Sequence, residues 1–277
     1  MKTVRLPSGE AVPALGMGTW NMGDSRAQRA EEIATLQLGV SLGLRLIDTA
    51  EMYGEGDSEE LIGEAIDGLR DEVFLVSKVY PHNASRRGTI AACERSLKRL
   101  RTDRLDLYLL HWRGDVPLAE TLDAFARLQQ DGKIRHFGVS NFDTRDMQEL
   151  VALIGGAGVA TNQVLYNLVR RGIEWDLLPW CRTQGIPLMA YSPIEQARLV
   201  ADALLVDFAQ RHGMTAAQVA LGWLLSRDDV IVIPKTANRN RLRENMRALQ
   251  HPLSSAQLAE LDSLFPAPTK ARPLEML

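Results

Sequence analysis

The sequence predicts a (β/α)8 TIM barrel with an N-terminal β-hairpin and a C-terminal helix. Along the 277 residues, eight short and nearly continuous apolar stretches alternate with eight amphipathic stretches of helical length. Strands that are apolar on both faces are typical of a parallel sheet covered by helices. Eight strand–helix units in about 250 residues match the size of one closed barrel. No change in composition marks a second domain, so we expect residues 1–277 to form a single domain.

Each element follows from a local signal in the chain. The turn Pro7-Ser8-Gly9-Glu10 separates two short strands at 3–6 and 11–15, which predicts the hairpin. A further short helix at 199–211 follows the seventh barrel strand, and a last helix is predicted at 254–265. The barrel strands are predicted at 15–20, 44–48, 73–78, 105–110, 135–140, 161–165, 187–191 and 230–233. The barrel helices are predicted at 28–42, 57–69, 85–101, 118–131, 143–153, 173–184, 215–227 and 239–249.

A doubly wound open sheet is the alternative architecture. It needs fewer strand–helix units than the eight found here, and it usually carries a phosphate-binding glycine turn after its first strand. The nearest candidate, Gly16-Met17-Gly18, lacks the third glycine of that fingerprint. The pattern therefore favours the closed barrel.

Composition and charge narrow the class of protein. Hydrophobic residues make up 45% and charged residues 24% of the chain, as in ordinary soluble globular proteins. The formal net charge of −3 gives no reason to expect nucleic acid or an anionic membrane as a partner. No apolar stretch approaches the length of a membrane span, and the N-terminus lacks the apolar core of a signal peptide. Cys93 and Cys181 lack metal-type spacing, so we expect no metal site and a reducing, cytoplasmic location.

Four residues are candidates for catalysis because of their place on the predicted strands. Asp48, Lys78 and His111 lie at or just beyond the ends of the second, third and fourth strands, and Tyr53 follows in the loop after Asp48. The carboxyl ends of barrel strands form one rim, where barrel enzymes carry their active sites. Each residue also has an ordinary alternative, as a turn former, a surface aromatic, a snorkelling lysine or a core histidine. Because three different strands bring these residues to one rim, a shared site is favoured over four unrelated roles.

These four side chains suit proton transfer to a carbonyl oxygen. A free tyrosine has a pKa of about 10, and an ammonium such as that of Lys78 lowers this pKa by stabilising the tyrosinate. Asp48 can hold Lys78 charged and in position, and His111 can hydrogen-bond a substrate carbonyl. Tyr53 would then protonate the carbonyl oxygen as a hydride reaches the carbon.

The hydride needs a donor, and residues 231–245 offer a place for its phosphate groups. Here a strand runs through a short loop into a helix, and Lys235, Thr236 and Arg241 are grouped at the helix N-terminus, which favours anions. A solvated basic helix start is the ordinary alternative. Barrels often carry a phosphate pocket near their last two strands, which favours the functional interpretation.

These motifs resemble those of the aldo-keto reductases from about Leu15 to Leu264. Residues 47–53 and 161–167 look closest to bacterial reductases that act on methylglyoxal and related aldehydes. The motifs that carry the resemblance are Asp48 with Tyr53-Gly54, Ser77-Lys78, Leu109-Leu110-His111-Trp112, Gly138-Val139-Ser140-Asn141-Phe142, Asn162-Gln163, Tyr191-Ser192-Pro193, and Ile233-Pro234-Lys235-Thr236 followed by Arg241, Glu244 and Asn245.

The resemblance implies a barrel that binds extended NADPH and reduces aldehydes and 2-oxoaldehydes to alcohols. It implies that Tyr53 is the general acid, supported by Asp48, Lys78 and His111. Arginine and lysine around a dianion suit the 2′-phosphate of NADPH better than the bare ribose of NADH. The residues implied for the cofactor are Thr19, Trp20, Ser140, Asn141, Gln163, Tyr191, Ser192, Lys235, Thr236, Arg241, Glu244 and Asn245. The residues implied for the substrate pocket are Trp20, Met52 and Trp112.

Two segments depart from the family pattern. The loop 192–198 is short and lacks glycine, whereas many members carry a longer, glycine-containing loop that closes over the pyrophosphate. The tail 267–277 is short beside tails that wall the substrate pocket, so we expect it to add no wall. The expected partners are small-molecule carbonyl substrates, and the expected assembly is a monomer or a weak homo-oligomer.

Two other functions compete with carbonyl reduction. One is a redox-sensing regulatory subunit that binds NADPH but turns over little, and the complete set of candidate catalytic residues argues against it. The other is a barrel aldolase in which Lys78 forms a Schiff base with the substrate. The predicted nucleotide-binding residues argue against that alternative.

Overall fold

A parallel barrel of eight strands is the central feature of the computed structural model, which describes residues 1–277. A separate antiparallel hairpin of β1 (Thr3–Arg5) and β2 (Ala11–Pro13) precedes it. The barrel strands are β3 (Met17–Gly18), β4 (Leu46–Asp48), β5 (Phe74–Val79), β6 (Leu105–Leu110), β7 (Ile134–Ser140), β8 (Asn162–Leu165), β9 (Leu188–Tyr191) and β10 (Val230–Val232).

The barrel is closed between its first and last strands. Each strand pairs in parallel with the next one along the chain, from β3 to β10. Parallel bridges join Leu15 to Val232 and Gly18 to Lys235, and the Gly16 N–H donates to the Val232 carbonyl at 2.9 Å. Closure leaves no open sheet edge. The predicted (β/α)8 barrel is confirmed, and the doubly wound alternative is wrong.

Ten helices surround and close the barrel. Several begin at the polar residues that their sequences supply, since Thr215, Asn238 and Ser254 each accept hydrogen bonds from backbone N–H groups of the first turn. The helices are α1 (Arg29–Ser41), α2 (Asp57–Ala65), α3 (Arg86–Arg99), α4 (Leu118–Gln130), α5 (Thr144–Ala152), α6 (Leu177–Gln184), α7 (Ala203–Arg211), α8 (Ala216–Leu225), α9 (Arg239–Gln250) and α10 (Ser255–Leu264).

Some boundaries differ from the predictions for identifiable reasons. The helix predicted from residue 173 begins at Leu177, because the Asp176 carboxylate accepts the Leu177 N–H and caps it there. The helix predicted at 199–211 begins at Ala203, since Asp202 is extended and accepts two N–H groups of the first turn. The strand predicted at 15–20 is regular only at Met17–Gly18.

The hairpin lies at the amino end of the barrel, opposite the rim that carries the candidate site. Glu10 lies in the turn of the hairpin. It pairs with Arg135 at 2.7 Å and with His136 at 2.7 Å, and both of these residues lie near the start of β7. A continuous cluster of 74 buried hydrophobic residues runs from Val4 in the hairpin to Phe265 after α10. None of the helices is both long enough and apolar enough to cross a membrane.

Candidate active site

One large cleft lies at the carboxyl ends of the strands. Its volume is about 930 Å³, and it extends from Met52 and Trp112 at one end to Arg241 and Asn245 at the other. All the predicted site residues except Lys78 line this cleft. Lys78 is fully buried beneath it and contacts two residues that do line it, Asp48 and Tyr53.

Lys78 connects the acid and the phenol of the predicted set. It lies on β5, next to β4, which carries Asp48 at its end. The Lys78 ammonium donates to Asp48 Oδ2 at 2.8 Å, to the Thr49 carbonyl at 2.8 Å and to the Tyr53 hydroxyl at 3.2 Å. All three of its N–H groups are therefore used, since an ammonium has three donors and no acceptor.

Asp48 is held from both sides. Its Oδ2 pairs with Lys78, and its Oδ1 accepts the Gln163 side-chain amide at 2.8 Å. Because an ionised carboxylate can only accept, the Gln163 group that faces Asp48 must be its NH2 group. The carbonyl oxygen of the Gln163 amide therefore stays available to a ligand. The Thr19 hydroxyl is fully buried and donates to the Asp48 backbone carbonyl at 2.9 Å. Thr19 and Gln163 thus both line the cleft and fix Asp48.

The pKa values of the Lys78–Tyr53 pair favour a charged lysine and a protonated tyrosine. Burial alone would lower the pKa of Lys78, but the Asp48 carboxylate and Tyr53 raise it above its ordinary value. Burial raises the pKa of Tyr53, the Lys78 ammonium lowers it, and the Asp48 carboxylate raises it further. The net pKa of Tyr53 lies above its ordinary value. The expected lowering by Lys78 is present, but burial and the Asp48 carboxylate outweigh it.

His111 is neutral and is held by packing. Burial and the Lys78 charge lower the pKa of His111 to about 2. Its Nδ1 atom is buried and has no hydrogen-bond partner in the protein. Its ring lies edge-on to the Tyr53 ring, with 5.8 Å between centroids, and 4.9 Å from the Trp112 ring. A neutral imidazole beside the phenol can hydrogen-bond a carbonyl group without repelling Lys78.

A group of polar side chains lies between the four candidate catalytic residues and β9. The Ser140 hydroxyl donates to the Gln163 backbone carbonyl at 2.9 Å, and the Tyr191 hydroxyl donates to Asn141 Oδ1 at 3.0 Å. Asn141 has a φ of 58°, a left-handed conformation that asparagine tolerates better than most residues. Ser192, which follows Tyr191, also lines the cleft.

The far end of the cleft carries basic and polar groups at the start of α9. Lys235, Thr236, Arg241, Glu244 and Asn245 all line it, as predicted. The helix cap, Asn238, accepts the N–H groups of Asn240 and Arg241 at 2.9 and 3.0 Å. The side chains of Lys235 and Arg241 make no ion pair or hydrogen bond within the protein, so both cations face the cleft unpaired. Unpaired cations at a helix N-terminus favour a bound anion.

Residues 14–265 match the sequence model of the aldo/keto reductase family. The chain belongs to the aldo/keto reductase family. It is 51% identical to the methylglyoxal reductase YeaE of Escherichia coli K12, over 100% of this chain and 99% of that protein. It is 35% identical to a glyoxal reductase of Bacillus subtilis, over 95% and 92% of the two chains. A crystal structure of an aldo/keto reductase from Klebsiella pneumoniae in complex with NADP and acetate has a TM-score of 0.97 and 50% identity, covering 100% of this chain and 99% of that one.

The tail of this aldo/keto reductase lines the cleft, contrary to the expectation from its length. Met276 and Leu277 face the same cleft as Trp20, Met52 and Trp112. The tail was expected to add no wall because it is short, but the chain folds back far enough for its last two residues to reach the rim. The end of the cleft beside Trp20, Met52 and Trp112 is thus more enclosed than the sequence indicated.

Several further residues that line the cleft were not predicted. Asn238 could have been found, because an asparagine before a helical pattern is a common cap. The loop after β9 was doubted as a cover because it lacks glycine, yet it lines the cleft. No local sequence pattern predicted that the other residues line the cleft. The unpredicted lining residues include Asn21, Pro193, Ile194, Gln196, Ala197, Val200, Asn238, Met276 and Leu277.

Proposed function

We propose that this protein is an NADPH-dependent reductase that converts aldehydes and 2-oxoaldehydes, such as methylglyoxal, to alcohols. The observation that carries the proposal is the contact between Tyr53, Lys78 and Asp48 beneath the cleft. Membership of the aldo/keto reductase family supports the reaction class. The relatives named as methylglyoxal and glyoxal reductases support the substrate class.

The donor groups in the cleft fit NADPH. The free carbonyl of Gln163 and the side chains of Ser140 and Asn141 suit the carboxamide of a nicotinamide. The unpaired cations Lys235 and Arg241, at the N-terminus of α9, suit the 2′-phosphate at the adenosine end. NADP is named in one complex of a Klebsiella pneumoniae relative and NADPH in another. When bound, NADPH supplies the hydride that carbonyl reduction requires.

The geometry assigns Tyr53 the role of general acid. Lys78 has only donors, so in its contact with Tyr53 the phenolic oxygen must accept. The phenolic hydrogen is therefore free to point into the cleft, where a carbonyl oxygen can take it. The raised pKa of Tyr53 keeps this proton in place at neutral pH until negative charge develops on the substrate oxygen. The Lys78 ammonium then stabilises the tyrosinate that remains.

We propose that His111 and Asp48 support the transfer in different ways. His111 stays neutral, so it can hydrogen-bond the substrate carbonyl and orient it toward Tyr53. Asp48 does not face the reacting oxygen as a base, because both of its carboxylate oxygens are engaged by Lys78 and Gln163. Its role is to keep Lys78 charged and in position.

The geometry does not support the aldolase alternative. A Schiff-base lysine must lose its proton to become a nucleophile, which a lowered pKa promotes. The pKa of Lys78 is raised instead, and its ammonium is fully buried with three hydrogen bonds. Lys78 therefore suits an electrostatic role.

We further propose that residues 1–277 act as a single domain in the cytoplasm, as a monomer or weak homo-oligomer. The continuous hydrophobic cluster from Val4 to Phe265 supports the single domain. Both cysteines, Cys93 and Cys181, are buried free thiols, and burial raises the pKa of each to about 12. Such unreactive thiols are compatible with a reducing compartment.

The test is a turnover assay with methylglyoxal, other small aldehydes, ketones and aldose sugars, using NADPH and NADH in parallel. We expect NADPH-dependent reduction, fastest with the activated aldehydes. Binding of NADPH should be followed separately by quenching of tryptophan fluorescence. Tight NADPH binding without turnover on any carbonyl would support the redox-sensing subunit and refute the reductase.

A further inference from the structure

Two segments from distant parts of the sequence line the same cleft. The loop 192–197 follows β9 and lines the cleft on the side of Tyr191. Met276 and Leu277 line it as the end of the chain, and the Leu277 backbone lies close enough to the Tyr191 hydroxyl to lower its pKa against the larger effect of burial.

The loop is held in an unfavourable backbone conformation. Ser192, Glu195, Gln196 and Ala197 have φ values of 48°, 51°, 52° and 70°. None of them is glycine, so each pays a steric cost in this left-handed region. Such a conformation persists only where the surrounding structure fixes it, and it is common in ligand clamps and switch regions.

Glu195 is the anchor that fixes the loop. Its carboxylate is 5% exposed, and its Oε1 accepts Arg170 Nε at 3.0 Å and Nη2 at 2.8 Å. Its Oε2 accepts the Asn167 side-chain amide at 2.8 Å, and the same amide donates to the Ser192 carbonyl at 2.9 Å. Burial alone would raise the pKa of Glu195, but Arg170 and Asn167 lower it below its ordinary value. The anchor is therefore charged.

The tail depends on the same arginine. Residues 266–277 make no backbone–backbone hydrogen bond with the rest of the protein. Their one side-chain ion pair joins Glu275 Oε1 to Arg170 Nη1 at 2.6 Å. Leu274 adds an apolar contact with the core. Glu275 is directly followed by the cleft-lining Met276, so this ion pair sets where the end of the chain lies.

Arg170 itself is carried by a hydrogen-bonded turn after β8. The Asn167 side-chain carbonyl accepts the N–H groups of Val169 and Arg170, each at 3.0 Å. The next residue, Arg171, is almost fully buried and pairs with Glu174 at 2.7 Å. The turn therefore offers a point to which both the loop and the tail are tied.

We propose that Arg170 is a positioning residue that latches the loop 192–197 to the C-terminal tail. One guanidinium then sets both the cover of the proposed cofactor site and the Met276–Leu277 wall of the substrate pocket. The inference rests on the proposed function, since it takes the loop as part of the NADPH site. Because coupling between two sites is reciprocal, nucleotide bound under the loop stabilises the tail wall, and an ordered tail favours nucleotide binding.

The first experiment follows the tail directly. Wild-type protein is digested with a carboxypeptidase, with and without saturating NADP+, and loss of Leu277 is followed by intact mass. We expect NADP+ to slow this loss about fivefold or more, the lower end of typical allosteric coupling. In Arg170→Met the loss is fast with or without nucleotide, and in Glu275→Gln the same holds. Glu275 is on the tail, so its variant keeps the barrel intact if Arg170→Met folds poorly.

The second experiment measures selectivity. Methylglyoxal and the bulkier phenylglyoxal are compared by kcat/KM. Releasing the wall in Arg170→Met and Glu275→Gln shifts the ratio toward phenylglyoxal. Both variants raise the Kd for NADPH, and Arg170→Met raises it more because it also frees the loop. Arg170→Lys keeps the charge and restores part of the protection and of the selectivity. Arg198→Gln is the matched control, because Arg198 also lies near Glu195, at 3.7 Å, but has no contact with the tail.

The outcomes separate the two proposals. If wild-type protein does not bind NADPH, the proposed function fails and the latch fails with it. If it binds NADPH but tail cleavage is unchanged by nucleotide, or if Arg170→Met and Arg198→Gln behave alike, the latch alone is overturned.

Discussion

Asp48 Oδ2 lies 2.8 Å from Lys78 Nζ, and both side chains are almost completely shielded from water. An ion pair at this depth contributes little net stability, because each charge loses its hydration on burial. Breaking it is costly, since one charge is then left without its partner. The pair is therefore explained by what it does to Tyr53, which receives the third hydrogen bond of the lysine.

Replacing Lys78 with Met should destabilise the protein by about 3–5 kcal/mol, because Asp48 is left buried with a charge that only Gln163 still contacts. Urea denaturation gives the free energy of unfolding. The double variant Asp48→Asn/Lys78→Met removes both charges and should recover part of this loss. Equal stability of Lys78→Met and wild type would show that the pair is not buried as described.

Tyr53→Phe should nearly abolish carbonyl reduction and leave NADPH binding largely intact. The phenolic proton is needed only in the transition state, and general acid catalysis is typically worth about 10²–10⁴-fold in rate. Single-turnover kinetics measure the chemical step, and fluorescence titration measures NADPH binding. Near-normal turnover would remove Tyr53 from the role of acid.

Replacing Arg241 with Ala should weaken NADPH binding far more than NADH binding. A hydrogen bond to a charged group is worth about 1.5–3 kcal/mol, which corresponds to a roughly 10- to 150-fold increase in Kd for NADPH. Arg243→Ala is the matched control, since Arg243 lies on the same helix but does not line the cleft. An equal loss for both nucleotides would show that Arg241 does not contact the 2′-phosphate.

His111 should make the protein less stable as pH falls. Its pKa is about 2 in the folded protein, against 6.5 as its ordinary value, so below pH 6.5 only the unfolded chain takes up this proton. The free energy of unfolding then falls by up to about 1.4 kcal/mol per pH unit, and none of this loss occurs above pH 6.5. Urea denaturation of wild type and His111→Asn at pH 7, 5.5 and 4.5 measures this pH dependence of the free energy of unfolding.

The stability difference between wild type and His111→Asn should shrink as the pH is lowered, because the variant has no buried imidazole to protonate. His251→Asn is the control for removal of an imidazole, since His251 is exposed. A pH-independent difference for His111→Asn would indicate that His111 is not buried in its neutral form.

The sequence predicted the parts of this site that local patterns determine. Lys78 and Gln163 belong to apolar strands, and once the strands were placed in a barrel, the rim position of each side chain followed. The family predicted from these motifs is confirmed. The raised pKa of Tyr53 could not be foreseen, because it depends on burial of the phenol by residues far away in the chain.

The positions of the tail and of the loop after β9 could not be predicted from the sequence for a similar reason. The tail has no periodic pattern, and its position depends on an ion pair between Glu275 and Arg170, which are 105 residues apart in the chain. The loop adopts left-handed conformations without glycine, so the residue type that usually marks such a conformation is absent. Both segments are fixed by tertiary contacts.

The proposed substrate pocket should accept a range of small activated aldehydes. Its lining of Trp20, Met52 and Trp112, with Met276 and Leu277 from the tail, offers few groups that could distinguish substrates beyond the carbonyl. One methylene in such an apolar pocket changes binding by only about 1–3 kcal/mol. We therefore expect reduction of several small activated aldehydes, with slow turnover of unactivated ketones and bulky sugars.

A chain that ends at Glu275 tests the contribution of the tail wall to this breadth. It keeps the ion pair with Arg170 but lacks Met276 and Leu277, so the pocket is more open at one side. We expect kcat/KM to rise for phenylglyoxal relative to methylglyoxal, with NADPH binding little changed. The full-length protein measured in parallel is the control. If the two chains show the same ratio, the tail lines the cleft without limiting the size of the substrate.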